Sequence, residues 1–357
     1  MIYYGIAALW PLVMWFFNYY VTRVRQLNDK QKRRLRYFLT VIAVLPMFLL
    51  FVLRYKYIGA DTIGYVRFFE GEVRKYTFAE LLNTDLMRIE VGYRIYVKLI
   101  SLITENYTVF FLVNGIVIFG TLLHFAKKYT ENPFVFLFLF MTLGTYQFVE
   151  TGLRQALAMM ICLWSIDFLK DKKIIRFLLL VALAYFFHQS AIIFLLMLPL
   201  SWTKKTDWTI LLHCIIAAVF FVGFGVFHEI FIQWLGYDAY FIDETGNGGI
   251  FFMLVLVLFA FALFMSYGTY QREKEKSIIL HLSLLTVTLW LLRLLSRTAE
   301  RVSYYYIMGL YAYFASAVQC RKDKLSDLLK GLLIAASFIL FVRRTFDASY
   351  LFFWMVA

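Results

Sequence analysis

Apolar runs follow one another along the whole chain and are separated by short charged segments. A transmembrane helix needs about 20 consecutive apolar residues, and a half-span needs fewer. The runs predict helices at 6–21, 37–53, 107–126, 133–149, 153–169, 174–187, 189–200, 208–228, 249–267, 277–295, 302–319 and 328–342. This pattern predicts an all-α, polytopic integral membrane protein with about 12 transmembrane or half-spanning helices.

The apolar run at 174–200 is interrupted by His188, Gln189 and Ser190. A single helix over the run would be about 40 Å long, which exceeds the roughly 30 Å hydrocarbon core of a bilayer. Two arms that meet near His188 would each be about 20 Å long and would end inside the bilayer. We therefore predict a re-entrant or broken helix pair at 174–200.

Charge supports the two-arm interpretation. With two arms, the basic segments on the cytoplasmic side are 22–36, 127–132, 170–173, 201–207, 271–276 and 320–327. A single span would move the basic segment 271–276 outside and the acidic segment 229–247 inside, against the positive-inside rule. Because short loops and anionic headgroups explain the net charge of +13, this charge does not indicate nucleic-acid binding.

Composition agrees with a membrane protein and gives no support to several kinds of site. The chain is 62% hydrophobic and 20% aromatic, and its cysteines (Cys162, Cys214 and Cys320) form no CxxC motif. The sequence contains no Walker, HExxH or GxSxG motif, so nucleotide binding, zinc hydrolysis and serine-hydrolase chemistry lack support. We expect one transmembrane domain over 1–357, whose first run is a retained span with its N-terminus outside.

The outer side of this topology carries the unusual polar sequence. Its longest hydrophilic segment is 54–106, in which apolar residues at 95, 99, 102 and 103 predict a helix along the membrane interface. Four polar clusters fall on this side: Gly59-Ala60-Asp61-Thr62 with Tyr65; Glu90-Val91-Gly92-Tyr93; Glu150, Arg154 and Gln155 with His188; and Arg293, Arg297 and Arg301, followed by Tyr304, Tyr305 and Tyr306. Polar and charged groups at membrane depth are costly, so their gathering on one side marks a candidate site.

Arg293, Arg297 and Arg301 follow one another at four-residue spacing, which predicts one face of a helix. Neighbouring guanidinium groups repel each other unless an anion or carboxylates hold them, and their planar donors suit a phosphate or diphosphate. With Arg154 they predict a cationic pocket for a lipid-linked diphosphate, whose departure fixed positive charge would assist. The structural alternatives are that Arg293 reaches towards the interface and that Glu300 neutralises a neighbouring arginine.

His188 is the most informative single residue, because it interrupts an apolar run. A neutral histidine that takes a proton from a sugar hydroxyl is a suitable general base near neutral pH. The alternative is a hydrogen-bonded residue at a hinge. Two neighbouring assignments also stay open: Glu150 and Arg154 are four residues apart and could pair with each other, and Asp61 after Gly59 also fits a turn.

The same residues carry a resemblance to a known family. In chain order, the motifs GADTxxY, ExGY, LRQALA and KK…FHQSA, and then an arginine stripe that leads into aromatics, resemble the EpsG family. These proteins are Wzy-like bacterial polysaccharide polymerases of the inner membrane. The similarity is colinear over roughly 50–310. Val91 departs from the pattern, since many members have proline there, and this affects the loop beside Glu90.

The resemblance implies a metal-independent glycosyltransferase without a cofactor, similar to the GT-C class and to O-antigen ligases. It would join oligosaccharide repeat units carried on undecaprenyl diphosphate at the periplasmic face, by transferring the growing chain to a hydroxyl of the incoming unit. The implied partners are the lipid-linked donor and acceptor, the bilayer, a chain-length regulator and a flippase, with no nucleic acid.

The resemblance and the outward clusters together assign roles to residues. The catalytic candidates are His188, Arg154, Asp61 and Glu90, with His188, Asp61 or Glu90 as the base. The substrate-binding candidates are Arg293, Arg297, Arg301, Gln155, Glu150, Tyr65 and Tyr305. Trp234, Tyr237, Tyr65 and Tyr304 would stack on sugar rings.

Two other functions remain alternatives at this point. A flippase or transporter of lipid-linked oligosaccharide would also use buried arginines, with basic sites reachable from both faces and often internal repeats. A membrane acyltransferase that modifies polysaccharide could use the same histidine, but its acyl donor would enter from the cytoplasm.

Overall fold

The regular structure of the protein is almost entirely helical. The computed structural model describes residues 1–83, 89–202, 206–223, 226, 248–266, 274–321 and 323–355. Within these residues, the only β-structure is an isolated antiparallel bridge between Arg54 and Phe352.

The helices are named in chain order. The first are α1 (Ile2–Val24), α2 (Asp29–Val52), α3 (Thr62–Arg67), a π-helical stretch (Phe68–Glu72), α4 (Val73–Lys75), α5 (Phe78–Leu82) and α6 (Val91–Ser101). Next come α7 (Tyr107–Tyr129), α8 (Pro133–Thr142), α9 (Thr145–Thr151), α10 (Leu153–Lys170), α11 (Ile174–Phe187), a 3-10 helix (Gln189–Leu196), α12 (Met197–Leu200) and α13 (Thr206–Val222). The last are α14 (Gly248–Ser266), α15 (Lys274–Leu292), α16 (Thr298–Ser303), α17 (Ile307–Ala317), α18 (Lys324–Thr345) and a 3-10 turn (Phe353–Met355).

In the described part of the chain, four helices have the length and hydropathy to cross a membrane: α2, α7, α14 and α18. The pair α8 and α9 adds a fifth if it is counted as one span, since it is bent by 59°. Shorter apolar helices accompany them, among them α11, α13 and α17. The predicted all-α membrane class is therefore confirmed, whereas the predicted number of about 12 transmembrane or half-spanning helices is not confirmed by the described residues. Several predicted spans are only half the length of a crossing helix, because the chain breaks or bends within them.

Two helices, α8 and α17, occupy the centre of the described structure. Every residue of both is buried. A helix that is apolar on all sides is stable only when protein surrounds it, and here α1, α2 and α7 pack on α8 while α14 and α15 pack on α17. The outer helices instead expose large apolar side chains, such as Phe16 on α1 and Ile175 on α11. Such surfaces suit contact with lipid.

Contacts between distant parts of the chain sort the helix ends into two sides. On the side predicted to be outer, the amino group of Met1 donates to the carbonyl of Ala348 at 2.7 Å. On the opposite side, Arg36 donates to the carbonyl of Glu131 at 3.1 Å. The segments predicted for one face thus meet each other in the fold, although the assignment of that face to the outside stays a prediction.

The described part of the hydrophilic segment 54–106 contains the short helices α3 to α6 and the π-helical stretch. In α6, Tyr93 and Val97 are fully buried, whereas Leu99 is 51% exposed. This leaves an apolar exposed surface on α6, as the predicted interfacial helix requires. The helix is held against α11, and this contact shapes the candidate site.

Candidate active site

Glu90 joins two of the predicted catalytic residues. It stands at the N-cap position of α6, but its side chain makes no capping hydrogen bond. Its carboxylate instead lies 2.7 Å, oxygen Oε1 to ring nitrogen Nδ1, from His188, and its Oε2 forms an ion pair with Arg154. The side chains of Glu90 and His188 are each 12% exposed. Three residues that are far apart in sequence therefore form one partly buried polar cluster, here called the Glu90 cluster.

Helix ends bring these three residues together. α11 ends at Phe187, and His188 adopts an extended backbone (φ −160°, ψ 120°) before the 3-10 helix begins. Because of this break, the His188 side chain does not continue a helical face of α11. Arg154 lies in the first turn of α10, directly after the α9–α10 junction at Gly152. Polar side chains at helix ends can meet without breaking the hydrogen-bonded backbone that a membrane protein needs.

Gly92 allows α6 to approach α11 closely enough for the Glu90 cluster to form. A Cβ atom at Gly92 would lie 2.7 Å from the carbonyl oxygen of Phe186 and 2.8 Å from its Cβ. Phe186 is two residues before His188, and Gly92 is two residues after Glu90. The glycine in the ExGY motif is thus explained by backbone contact between two helices.

Two tyrosines complete the surroundings of Arg154. The Tyr65 hydroxyl also bonds to Arg154, and the Tyr65 ring packs edge-on against Tyr93 with 5.8 Å between centroids. Asp61 is exposed and precedes α3 without a side-chain cap bond, and its charge acts on Tyr65. The GADTxxY segment therefore supports the Glu90 cluster through Tyr65.

The environment of Glu90 keeps its carboxyl group ionised. Burial alone would raise its pKa, but the hydrogen bond with His188 and the positive charge of Arg154 outweigh burial and bring the pKa below the ordinary value of 4.5. Glu90 is therefore a carboxylate at neutral pH. A carboxylate that holds one nitrogen of an imidazole fixes the ring and favours the protonated Nδ1, which leaves Nε2 as the proton acceptor.

This lowered pKa gives a pH-dependent contribution to stability. A carboxyl whose pKa is lower in the folded state stabilises the fold above its ordinary pKa and loses that effect as the pH falls through the folded-state value. We expect the wild type to unfold at a higher temperature than Glu90→Gln at neutral pH, and the difference to shrink below about pH 4.5. Thermal unfolding in detergent at several pH values measures this. A difference that stays constant down to the most acidic pH would contradict the ion pair.

A cavity of about 450 Å³ lies between α9, α16 and the end of α18. Its lining consists of Gly144, Gln147, Phe148, Thr151, Arg297, Thr298, Glu300, Arg301, Tyr304 and Arg344. Three arginines and one glutamate give the wall an excess of positive charge, and Glu300 is already held by Arg293 at 2.8 Å. The volume is within the range of small-molecule sites, and the charge favours an anion.

The α9–α10 junction links the cavity to the Glu90 cluster. Thr151 lines the cavity, and Arg154 follows it by three residues at the start of α10. The side-chain amide of Gln155 donates to the carbonyl of Arg301 at 2.7 Å, which joins α10 to the cavity wall. An anion site and a carboxylate–imidazole pair are thus held by the same helix end. This combination is a candidate active site.

Comparison with known proteins agrees with this geometry. The model of the EpsG family matches residues 37–355, which is nearly the whole chain. The chain belongs to the EpsG family. Members of this family are Wzy-like polysaccharide polymerases, so this EpsG protein has a polymerase-type role in polysaccharide biosynthesis. Searches among curated proteins and among solved structures found no match.

In this EpsG protein, the predicted arginine stripe is interrupted. α15 ends at Leu292 and α16 begins at Thr298, so no single helical face carries all three arginines. The side chain of Arg293 is 8% exposed and pairs with Glu300, while Arg297 and Arg301 line the cavity. The four-residue spacing therefore holds for Arg297 and Arg301, which lie at the N-cap and within α16, and fails for Arg293.

Glu150 does not pair with Arg154, as one alternative suggested, because Arg154 pairs with Glu90. Glu150 is 3% exposed, and its carboxylate accepts a hydrogen bond from Tyr4 at 3.0 Å. Its carbonyl accepts hydrogen bonds from the buried Arg54 at 2.9 Å and from Thr62 at 3.0 Å. These hydrogen bonds fix the α9–α10 junction, and the role of Glu150 in substrate binding stays a prediction.

The predicted aromatic site residues differ in whether they line the cavity. Tyr305 is fully buried, and its hydroxyl lies 3.0 Å from that of Ser190, so it faces the core and not the cavity. Tyr304 lines the cavity, but its ring already stacks on Phe148 at 3.9 Å between centroids. The two outer-loop candidates Trp234 and Tyr237 lie outside the described residues.

Three residues of this region were missed in the sequence. Arg344 closes the cavity from the end of α18, and a Cβ atom at Gly144, where φ is +85°, would overlap its guanidinium group. Gln147 lies on α9 beside the arginines, and Arg54 is buried behind the junction. Of these three residues, only Arg344 could have been proposed from the sequence, because it follows the last predicted span on the side predicted to be outer. Within the described ranges, no three His, Cys, Asp or Glu side chains converge as metal ligands would.

Proposed function

We propose that this EpsG protein joins oligosaccharide repeat units carried on undecaprenyl diphosphate, and that it transfers the growing chain to a hydroxyl of the incoming unit. The observation that carries the proposal is a cavity with three arginines that the start of α10 links, through Arg154 and Gln155, to the Glu90–His188 pair. A glycosyl transfer of this kind needs positive charge for the leaving diphosphate and a base for the attacking hydroxyl. The two parts of the candidate site supply these two requirements.

Arg297, Arg301 and Arg344 would hold the diphosphate of the donor. Their planar guanidinium groups can each give two hydrogen bonds to phosphate oxygens. Glu300, the one carboxylate in the cavity wall, pairs with Arg293 at 2.8 Å, so arginines outnumber carboxylates around the cavity. Fixed charges in a partly enclosed site stabilise developing negative charge more than solvent does. They would do the work that a metal ion does elsewhere, so activity is expected to survive EDTA.

His188 would act as the general base, with Glu90 as its positioning residue. Glu90 binds Nδ1 of His188, so Nε2 is the nitrogen that would take the proton of the acceptor hydroxyl. Arg154 would hold the Glu90 carboxylate in place from its other oxygen. Of the three bases considered from the sequence, this arrangement favours His188 over Asp61 and assigns Glu90 a supporting role.

The proposed reaction forms one bond and breaks one bond. The acceptor oxygen bonds to the anomeric carbon of the sugar at the reducing end of the growing chain, while the bond from that carbon to the diphosphate oxygen breaks. The proton of the acceptor hydroxyl passes to His188. The electron pair of the broken bond leaves with undecaprenyl diphosphate, whose charge the arginines stabilise. No oxidant, reductant or cofactor is needed for this balance.

The proposed location is the periplasmic side of the bacterial inner membrane. Support comes from the distribution of Lys and Arg, which by the positive-inside rule predicts that the α9–α10 junction, His188 and the arginines lie on the outer side. The lipid tails of both substrates would remain in the bilayer while their headgroups enter the cavity and the Glu90 cluster. A flippase that delivers the repeat unit and a regulator of chain length are proposed partners.

A reconstituted assay tests the proposal. The substrate is the undecaprenyl-diphosphate-linked repeat unit purified from a strain that lacks this protein, and the purified protein is supplied in lipid vesicles. We expect a ladder of longer lipid-linked glycans, release of undecaprenyl diphosphate in step with it, and no loss in EDTA. Movement of the lipid across the bilayer without a ladder would replace this proposal with transport. Acylation of the glycan without a ladder would replace it with acyl transfer.

Substitution of Arg344 tests the proposed diphosphate site, and substitution of the adjacent Arg343 is the control. Arg344→Ala should raise KM for the lipid-linked unit about 10- to 100-fold, because it removes a charged donor from the cavity. Arg343→Ala removes the adjacent exposed arginine, which is not part of the cavity lining, and should keep the wild-type KM. Equal effects of the two substitutions would mean that charge at the helix end acts only through general attraction of the anionic substrate.

A further inference from the structure

Gln147 carries a buried amide group without a partner. Both its amide nitrogen and its amide oxygen are inaccessible, and neither has a hydrogen-bond partner in the described part of the chain. A primary amide has two donor hydrogens and an acceptor oxygen. Leaving such a group buried and unpaired destabilises a protein, so its presence beside a cavity points to a ligand that satisfies it.

The position of Gln147 on α9 directs it to the cavity. The residues of this segment that line the cavity are Gly144, Gln147, Phe148 and Thr151. They are spaced by three or four positions, so they share one face of the helix. The same face therefore carries the amide of Gln147 and the ring of Phe148, which stacks on Tyr304. Opposite it lie the arginines of the cavity.

This surface combines the three features of a sugar site next to a phosphate. The arginines suit an anion, the amide suits hydroxyl groups, and the stacked rings of Phe148 and Tyr304 offer an apolar wall. An amide can donate to one hydroxyl and accept from a neighbouring one, so it fits two hydroxyls on adjacent carbons. A lipid tail would leave the whole amide unpaired, and an ionised diphosphate, which has acceptor oxygens only, would leave the amide oxygen unpaired.

We propose that Gln147 binds the sugar attached directly to the donor diphosphate, through two adjacent hydroxyls of that sugar. The inference rests on the proposed function, because it takes the cavity as the donor site. The proposed contact would make the protein specific for this sugar. A site built to hydrogen-bond a hydroxyl strongly rejects an analogue that lacks it, since the buried polar group is then left unpaired. Gln147 would thus select the sugar whose bond to the diphosphate is broken.

The test compares Gln147→Leu with the wild type in the reconstituted polymerisation assay. We expect KM for the purified lipid-linked repeat unit to rise about 10- to 100-fold, which is the loss of two hydrogen bonds. Thermal stability should be kept or increased, because leucine removes an unsatisfied amide from the fold. Gln31→Leu is the matched control: Gln31 belongs to the capping box of α2 on the opposite side of the bundle, so its loss should lower stability and leave KM unchanged.

A second arm varies the substrate. A repeat unit that lacks one of the two hydroxyls should be a poor substrate for the wild type, and it should lose little further in Gln147→Leu. A wild type that makes no ladder overturns the proposed function and this inference with it. An active wild type with the same KM as Gln147→Leu overturns the inference alone. If Gln147→Leu does not fold, Gln147→Glu serves instead: its carboxylate would repel the diphosphate and raise KM, and an unchanged KM would again reject the sugar contact.

Discussion

Replacing Glu90 with glutamine should reduce the turnover number of glycan polymerisation about 100- to 10,000-fold. Glutamine keeps the size of the side chain but removes the charge that binds Nδ1 of His188 and holds Arg154. The imidazole would lose its fixed orientation and its preferred tautomer. The effect is expected chiefly in kcat, because the step that suffers is the removal of the acceptor proton.

The control for this substitution is Glu105→Gln. Glu105 also forms an ion pair, with Arg74 at 2.7 Å, but its side chain is 85% exposed, so its removal should leave turnover unchanged. His188→Gln should lose at least as much as Glu90→Gln, and the double variant little more than His188→Gln alone, since residues that act as a unit are not additive. Additive losses would show that Glu90 and His188 serve separate steps, and full activity of Glu90→Gln would remove the pair from the mechanism.

Gly92→Ala should lower both turnover and stability. The added Cβ would lie 2.7 Å from the carbonyl oxygen of Phe186, so α6 must move away from α11. Such overpacking costs about 1–3 kcal/mol of unfolding free energy, and the shift would pull Glu90 away from His188. Thermal unfolding in detergent and the polymerisation assay measure the two effects on one preparation.

Gly64→Ala is the matched control, because a Cβ atom at Gly64 meets nothing within 4 Å. It should retain the stability and turnover of the wild type. Truncation of the neighbouring side chain in Gly92→Ala/Phe186→Ala should not restore activity, since the atoms that collide are the backbone oxygen and the Cβ of Phe186, which alanine keeps. A fully active Gly92→Ala would mean that the distance between α6 and α11 does not govern the Glu90 cluster.

The candidate site shows which features local sequence patterns predict and which they do not. The break at His188 could be predicted because an apolar run of this length exceeds a bilayer, and the helix does end at Phe187. The partner of Arg154 could not be predicted in this way. Glu150 was the nearest carboxylate in sequence, yet Glu90, 64 positions away, forms the ion pair. Sequence spacing predicts contacts only between residues of the same helix, whereas helix packing decides which residues of different helices meet.

The residues of the cavity also show what sequence spacing can and cannot predict. The helical spacing holds for Arg297 and Arg301, which lie at the N-cap and within α16, but it does not extend to Arg293, because α15 ends at Leu292. Arg297 and Arg301 line the wall that α18 completes with Arg344. The role of Gln147 could not be read from the sequence at all, because an unsatisfied amide is recognised only when its surroundings are known.

The sequence by itself determined the class of the protein, the positions of its apolar helices, the separation of basic from mixed loops, and its family. These properties depend on hydropathy, charge and motif order, which are local and additive along the chain. Only the tertiary structure decided which charges pair, which arginines share a cavity and which glycine lets α6 reach α11. Those properties depend on distances between helices far apart in sequence, and such distances arise only when side chains of particular volume pack together.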